Sequence, residues 1–499
     1  DINAYNSLST SFSFRSHGSS REGTTNAVFN DPINNVYQEY TRQNDGSSFG
    51  GGFDWTSDFR RTFEKAEQEL TFAVQLSGSK RDSNNEISQE DDFGINEFLT
   101  FKENQENNSL NLETTFQLDY VHPVSKKIKM ETGGKSVFRK ITSTYNYENF
   151  NFATQIYETD YNRSDVFNYE QDVYAGYMSF NIKLGEKYSM VAGARYEHTG
   201  ISGFVDSGET QPFNESYDNI LPSIFFSRKL KNFSMLKLSL VQRIQRPGLR
   251  NINPYVDESD NRNISYGNPE LSPEITNQVE LGYNTMIKGV MFNGAVYYRH
   301  TSDIIERFLE IDPNGVSITT YQNIGTNSAI GLNFFTSTTI AKIWSIRAGA
   351  NISTYNAEGT FNDVELSQQA VVWNGNFNST LSFKKGFKVE AFGFFRPKRR
   401  TIQGFVSSFG MFSMGAKKEF WDKRASLGIR IVEPFSKYKE FPSELSGENF
   451  TQRSNTSRPF RSFGLSFSYR FGKLDFKQRS RRSKIKNDDL KQGGDDNNM

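Results

Sequence analysis

The chain has 499 residues, 58 basic against 58 acidic side chains, 35% hydrophobic residues and no cysteine. Those totals exclude disulfides, thiol chemistry and cysteine-held zinc, and the neutral balance argues against a nucleic-acid partner. No run of about 18 apolar residues exists, which excludes a transmembrane helix but leaves a barrel open, because a barrel strand needs lipid-facing groups only at alternate positions.

From the N-terminus the pattern is weak at first: residues 37–45 and 50–61 read as one long strand or as two. Short polar turns then punctuate the chain at 62–68, 124–127, 185–187, 229–233, 287–289, 341–343, 384–386 and 422–424. These eight turns separate nine hairpins, which predicts about 18 strands, with up to about 22 possible given the weak start. Between the turns lie long polar stretches at 79–94, 200–219, 245–273, 356–367 and 436–449, expected as loops. Short turns at one end and long loops at the other predict an all-β, transmembrane antiparallel β-barrel with periplasmic turns and extracellular loops.

The clearest strands alternate residue by residue. Tyr174, Gly176, Met178, Phe180, Ile182 and Leu184 share one parity against Ala175, Tyr177, Ser179, Asn181 and Lys183. Tyr188, Met190, Ala192, Ala194 and Tyr196 oppose Ser189, Gly193, Arg195 and Glu197 across the next turn. Leu236, Leu238 and Leu240 face away from Lys237, Ser239 and Arg243, and Trp344, Ile346 and Ile352 from Ser345, Arg347 and Asn351. Trp344 and Trp421 stand beside short turns, where an interfacial girdle belongs. Phe392, Gly393, Phe394 and Phe395 break the alternation. Near the end, Phe463, Leu465, Phe467, Tyr469 and Phe471 oppose Ser462, Gly464, Ser466, Ser468 and Arg470: an aromatic face outside, a small or charged face inside. The barrel is therefore expected over 1–471. Residues 472–499, basic and then acidic, hold too few apolar groups for a core and are expected as a disordered periplasmic tail.

Arg243 with Arg246-Pro247, then Asn253-Pro254-Tyr255, then Gly267-Asn268-Pro269-Glu270-Leu271-Ser272-Pro273-Glu274 form an ordered set of motifs. With Tyr321-Gln322-Asn323-Ile324-Gly325, Gly331-Leu332 and the closing Ser468-Tyr469-Arg470-Phe471 and Ile485-Lys486-Asn487-Asp488-Asp489-Leu490, the set resembles the TonB-dependent outer-membrane receptors. The likeness is strongest to their Bacteroidetes-type outer membrane β-barrel family, and it covers the chain from about Tyr174 onward. The resemblance implies a 22-stranded barrel, an N-terminal plug and a TonB-contacting segment. This sequence shows neither plug nor segment and is about four strands short, so it is expected to be the C-terminal part of a larger barrel, the alternative being a plugless relative.

Arg243, Arg246 and Arg250 offer forked donors for carboxylate or phosphate, and Tyr255 and Tyr266 offer stacking faces; with Asn268 they are the candidate ligand contacts. The alternative is a proline-stiffened rim loop whose arginines pair with its own acids. Asp257, Glu258 and Asp260 lack the spacing of a calcium loop and read as solvated, so no metal site is expected. Arg396, Lys398, Arg399 and Arg400 suit headgroup phosphates of lipid or lipopolysaccharide at the outer rim. The four histidines lie in different segments without metal-ligand spacing, so no catalytic residue, no enzyme activity and no cofactor are expected.

The expected function is uptake of a scarce ligand across the outer membrane, energised by the TonB complex through a plug. The alternatives are a structural subunit binding surface lipoproteins or other barrels in a larger assembly, and a passive channel.

Overall fold

The computed structural model describes residues 2–31, 36–92, 97–207, 212–254, 256, 263–312, 316–361, 364–401, 403–446, 451–471, 485–487 and 489–490. Alternation builds the wall. On the strand Asp165–Leu184, Tyr174, Met178, Phe180 and Leu184 are exposed outward, while Phe167, Tyr169, Gln171 and Val173 are buried inward. The apolar outward run ends at Tyr174 and continues as Asp172, Glu170 and Asn168. From Tyr174 to Leu184 is the length of a tilted transmembrane strand, about 9–11 residues. The neighbouring strand Tyr188–Val205 repeats the band from Tyr188 to Tyr196 and then presents His198.

Among the described residues, nineteen strands form one antiparallel sheet. All but the four-residue strand Ile156–Thr159 follow one another as sequential neighbours, giving the eighteen wall strands that the turn count predicts. The short turns fall where expected. Between Glu274–Ile287 and Val290–Ser302 only Lys288 and Gly289 remain, with φ of 48° and 82°. Two positive φ values make the mirror-image turn whose twist matches the strands it joins.

The stretches expected as loops at 79–94, 200–219, 356–367 and 436–449 are largely strand: Glu69–Asp92, Tyr188–Val205, Phe213–Lys229, Trp344–Phe361, Val364–Ser382 and Tyr438–Ser446. Beyond the lipid band the outward face turns polar, and much of the inward face does too. The hydrogen-bond ladder continues there without the apolar outward row that marks a lipid-facing strand. For the same reason residues 37–45 and 50–61 belong to a single strand, Val36–Thr62. The break at 392–395 has a local cause: Gly393 pairs with Phe377, and a Cβ at Gly393 would strike the Phe377 ring. The outward position is filled by a ring from the next strand.

Among the described residues the first and last wall strands each pair on one side only. Asn6–Asp31 pairs with Val36–Thr62, and Ser462–Tyr469 with Ala425–Val432. Both parities of Ser462–Tyr469 are accordingly exposed.

Two small sheets cap the loop end. One combines Asn263–Ser265, Ile305–Ile311 and Ser317–Asn323; the other Arg399–Thr401, Gly404–Val406, Tyr438–Ser446 and Thr451–Pro459. Gln403 joins them, accepting from the Leu309 N–H at 2.8 Å and donating to the Leu309 carbonyl at 2.7 Å. Of the stretch 472–499, expected as a disordered tail, residues 472–484, 488 and 491–499 lie outside the described residues. Ile485, Lys486, Asn487, Asp489 and Leu490 lie inside the barrel, against lumen-facing residues of the wall.

Candidate binding site at the loop end

The segment between Met235–Gln245 and Glu274–Ile287 folds into the barrel mouth. It begins with the short helix Leu249–Ile252. The Gly248 N–H donates to Asn251 Oδ1 at 2.9 Å, which holds the turn into the helix. The returning chain zips onto this turn, with the Gly267 N–H donating to the Asn253 carbonyl at 2.7 Å and the Asn268 N–H to the Asn251 carbonyl at 2.6 Å. A Cβ at Gly267 would lie 2.6 Å from the Asn253 backbone, so the close approach requires glycine.

Apolar packing seats the insert. Ile252, Leu271, Ile305 and Tyr321 bury themselves against Ile141, Phe167, Tyr169, Ile201 and Val205 on three neighbouring wall strands. Large apolar residues occupy the inward parity here because the insert, rather than water, covers them.

A cavity of about 300 Å³ opens between this insert, the cap and the wall. Tyr145, Tyr147, Tyr266 and Tyr321 line it with Arg250, Arg307 and Glu106. Aromatic faces and forked cations around one space suit a planar or carboxylate-bearing solute.

Of the six expected contacts, the structure brings Arg250 and Tyr266 to this cavity. Asn268 serves the insert itself: Nδ2 donates to the Tyr321 carbonyl at 3.1 Å and Oδ1 accepts from the Glu270 N–H at 3.0 Å. Arg243 is exposed on the lumen-facing parity of its strand, away from the cavity. Tyr255 lies outside the described residues, as do Asp257, Glu258 and Asp260. Sequence reasoning missed Tyr145, Tyr147, Arg307 and Tyr321, which come from strands far from the motif and carry no mark of proximity.

Arg246 lies directly below and is fully buried. Its guanidinium donates to Glu197, to Thr199 Oγ1 at 2.9 Å and to Asp489 Oδ2 at 2.9 Å, and its backbone N–H donates to the Asp489 carbonyl at 2.8 Å. Arg139 completes the network, donating to Asp489 Oδ1 at 3.0 Å, to Gln171 Oε1 at 2.7 Å and to Glu113. Burial alone would raise the Asp489 carboxyl, but Arg139 and Arg246 outweigh it and hold it down at about 2. Arg246 is thus engaged within the chain, which corrects its reading as a solute contact.

A wall with an apolar outer band, a polar lumen and an in-folded mouth defines a membrane-spanning β-barrel with a cavity at one end. Residues 61–469 match the outer membrane protein beta-barrel family, and the chain belongs to that family and to the outer membrane. The copper transporter OprC shares the fold at a TM-score of 0.53, with 12% identity over 93% of this chain and 80% of that one. The siderophore receptor PiuA from Acinetobacter baumannii gives the same four figures. The FrpB iron transporter from Neisseria meningitidis follows at 0.52, with 11% identity over 94% and 82%. At such identities the likeness is one of fold. No curated protein matches the chain by sequence.

Proposed function

We propose that the barrel is the wall of an uptake receptor of the TonB-dependent type. Its loop end faces the exterior and its short turns face the periplasm. One observation carries this reading: the mouth holds a cavity lined by tyrosines and arginines, beside a buried network of ion pairs inside the wall. A passive channel needs a continuous aqueous path, and both the insert and that network take up space in the lumen. The named neighbours include iron and copper transporters and a siderophore receptor, which makes a metal chelate the first ligand class to test.

The test uses the purified full chain with ferric catecholate and ferric hydroxamate chelates and with a linear oligosaccharide. Saturable binding of one class, weakened at least tenfold by Arg250→Ala combined with Tyr266→Ala, supports the receptor. Receptor function fails if none of the three binds.

A structural subunit is the second reading, and the two one-sided edge strands favour it. Lipid offers an unpaired edge no hydrogen bonds, so each edge needs a partner strand. We propose that further strands of a larger barrel fill this place, with the plug belonging to the same larger unit. Stable co-purification with a second outer-membrane protein along these edges would instead favour the assembly.

A further inference from the structure

We infer that the lumen wall around Glu113, Thr115, Arg139 and Arg246 is a binding site for an extended acidic peptide, and that residues 485–487 and 489–490 of this same chain are its ligand. Three observations support a built site. First, the two arginines are nearly free of solvent, with side-chain exposures of 4% and 0%, and both converge on one carboxylate, that of Asp489. Each also meets an acid of the wall, Arg139 with Glu113 and Arg246 with Glu197, and the Asp489 carboxylate joins the two pairs into one buried network. Second, recognition reaches beyond charge. Asn487 Nδ2 donates to Thr115 Oγ1 at 2.9 Å and Glu113 Oε1 at 2.6 Å, and Lys135 Nζ donates to the Lys486 carbonyl at 2.6 Å. Third, Leu490 bridges Arg246 in parallel, adding backbone pairing to side-chain selection.

The direction of the segment follows from its contacts. Lys135, Thr115 and Arg139 stand progressively farther from the short turns on their strands, and they meet Lys486, Asn487 and Asp489 in that order. The segment therefore enters from the short-turn end and climbs toward the mouth. Its upper end meets Arg246, four residues before the cavity residue Arg250. The docked peptide closes the lumen from below, and its release opens it. This holds whatever solute the mouth takes.

The absence of cysteine makes a crosslinking test clean. In the full chain, Thr115→Cys with Asn487→Cys is treated with an oxidant or a short bis-maleimide in membranes, and folding is checked by heat-modifiable migration. The pair is expected to crosslink, with the yield falling at least tenfold when Asp489→Arg is added. A folded barrel whose pair stays uncrosslinked, or crosslinks equally with Asp489→Arg, overturns the site. In planar bilayers Asp489→Arg is expected to raise conductance severalfold, and an octapeptide copying residues 484–491 to lower it again. Unchanged conductance in a variant that has lost its crosslink overturns the closure. Should Asp489→Arg fail to fold, Asp489→Asn takes its place in both measurements.

Discussion

Arg246 and Asp489, 243 positions apart in the chain, hold each other twice. The guanidinium meets the carboxylate at 2.9 Å, and the Arg246 N–H meets the Asp489 carbonyl at 2.8 Å. The first residue of the mouth insert thus carries the upper end of the C-terminal segment, and one buried side chain joins the floor of the cavity to the peptide below.

Replacing Arg246 by Ala removes one of the two cations that face Glu197 and Asp489, leaving Arg195 with the first and Arg139 with the second. A loss of about 1–3 kcal/mol of stability is expected, read as a lower urea midpoint for the heat-modifiable barrel. Arg246→Lys recovers only part of it, because an ammonium cannot reproduce the fork that reaches Glu197, Thr199 and Asp489 together. Arg243→Ala, at an exposed position, is expected to change stability by less than about 0.5 kcal/mol.

Docking of the tail is expected to weaken in acid. The Asp489 carboxyl is held down at about 2 in the docked state, against 3.8 for the free group. A lowered value stabilises docking above 3.8, and that contribution is lost as pH falls toward 2. Arg139, Arg246, Glu113, Glu197 and Lys135 surround the group. A nitroxide at Asn487→Cys is expected to be immobile from pH 7 to about 4 and to gain a mobile component below that. The same label in an Asp489→Asn background should show no such step; an identical step would assign it to Glu113 or Glu197.

The mouth insert is expected to loosen without unfolding the wall. Ile252 is 1% exposed, and Ile252→Ala costs about 2–5 kcal/mol at a well-packed site. Trypsin cleavage after Arg250 should accelerate more than tenfold while heat-modifiable migration is kept. Loss of both together would mean that insert and wall fold as one unit.

Gly393 and Phe377 form a pair that tolerates change only on both sides. Gly393→Ala drives a methyl into the Phe377 ring, with an expected cost of about 1–3 kcal/mol. Phe377→Ala should remove most of that penalty in the double variant. Additive losses in a double-mutant cycle would contradict the contact.

Orientation is open to labelling. A cysteine at Thr456, in the cap at the loop end, is expected to react with a membrane-impermeant maleimide on intact cells. One at Lys187, in a short turn, should react only after the outer membrane is opened. The reverse pattern would invert the barrel and the proposed route of uptake.

The sequence by itself determined the wall. Strand parity, the eight turns and the count of about eighteen wall strands were legible because lipid demands apolar groups at alternate positions, and because the turns between those strands are short and polar or charged. Arg250 and Tyr266, picked out by local chemistry alone, both line the mouth cavity. The strand extensions were not legible, since beyond the lipid the outward face is polar, and the apolar inward residues there are covered by an insert from elsewhere in the chain. Arg246 was misread because its partners come from a strand some 49 positions earlier and a tail 243 positions later. Only the tertiary structure decides such a case: an arginine facing solute and one facing a buried acid look the same in sequence, and the difference lies in which distant carboxylate the fold delivers to it.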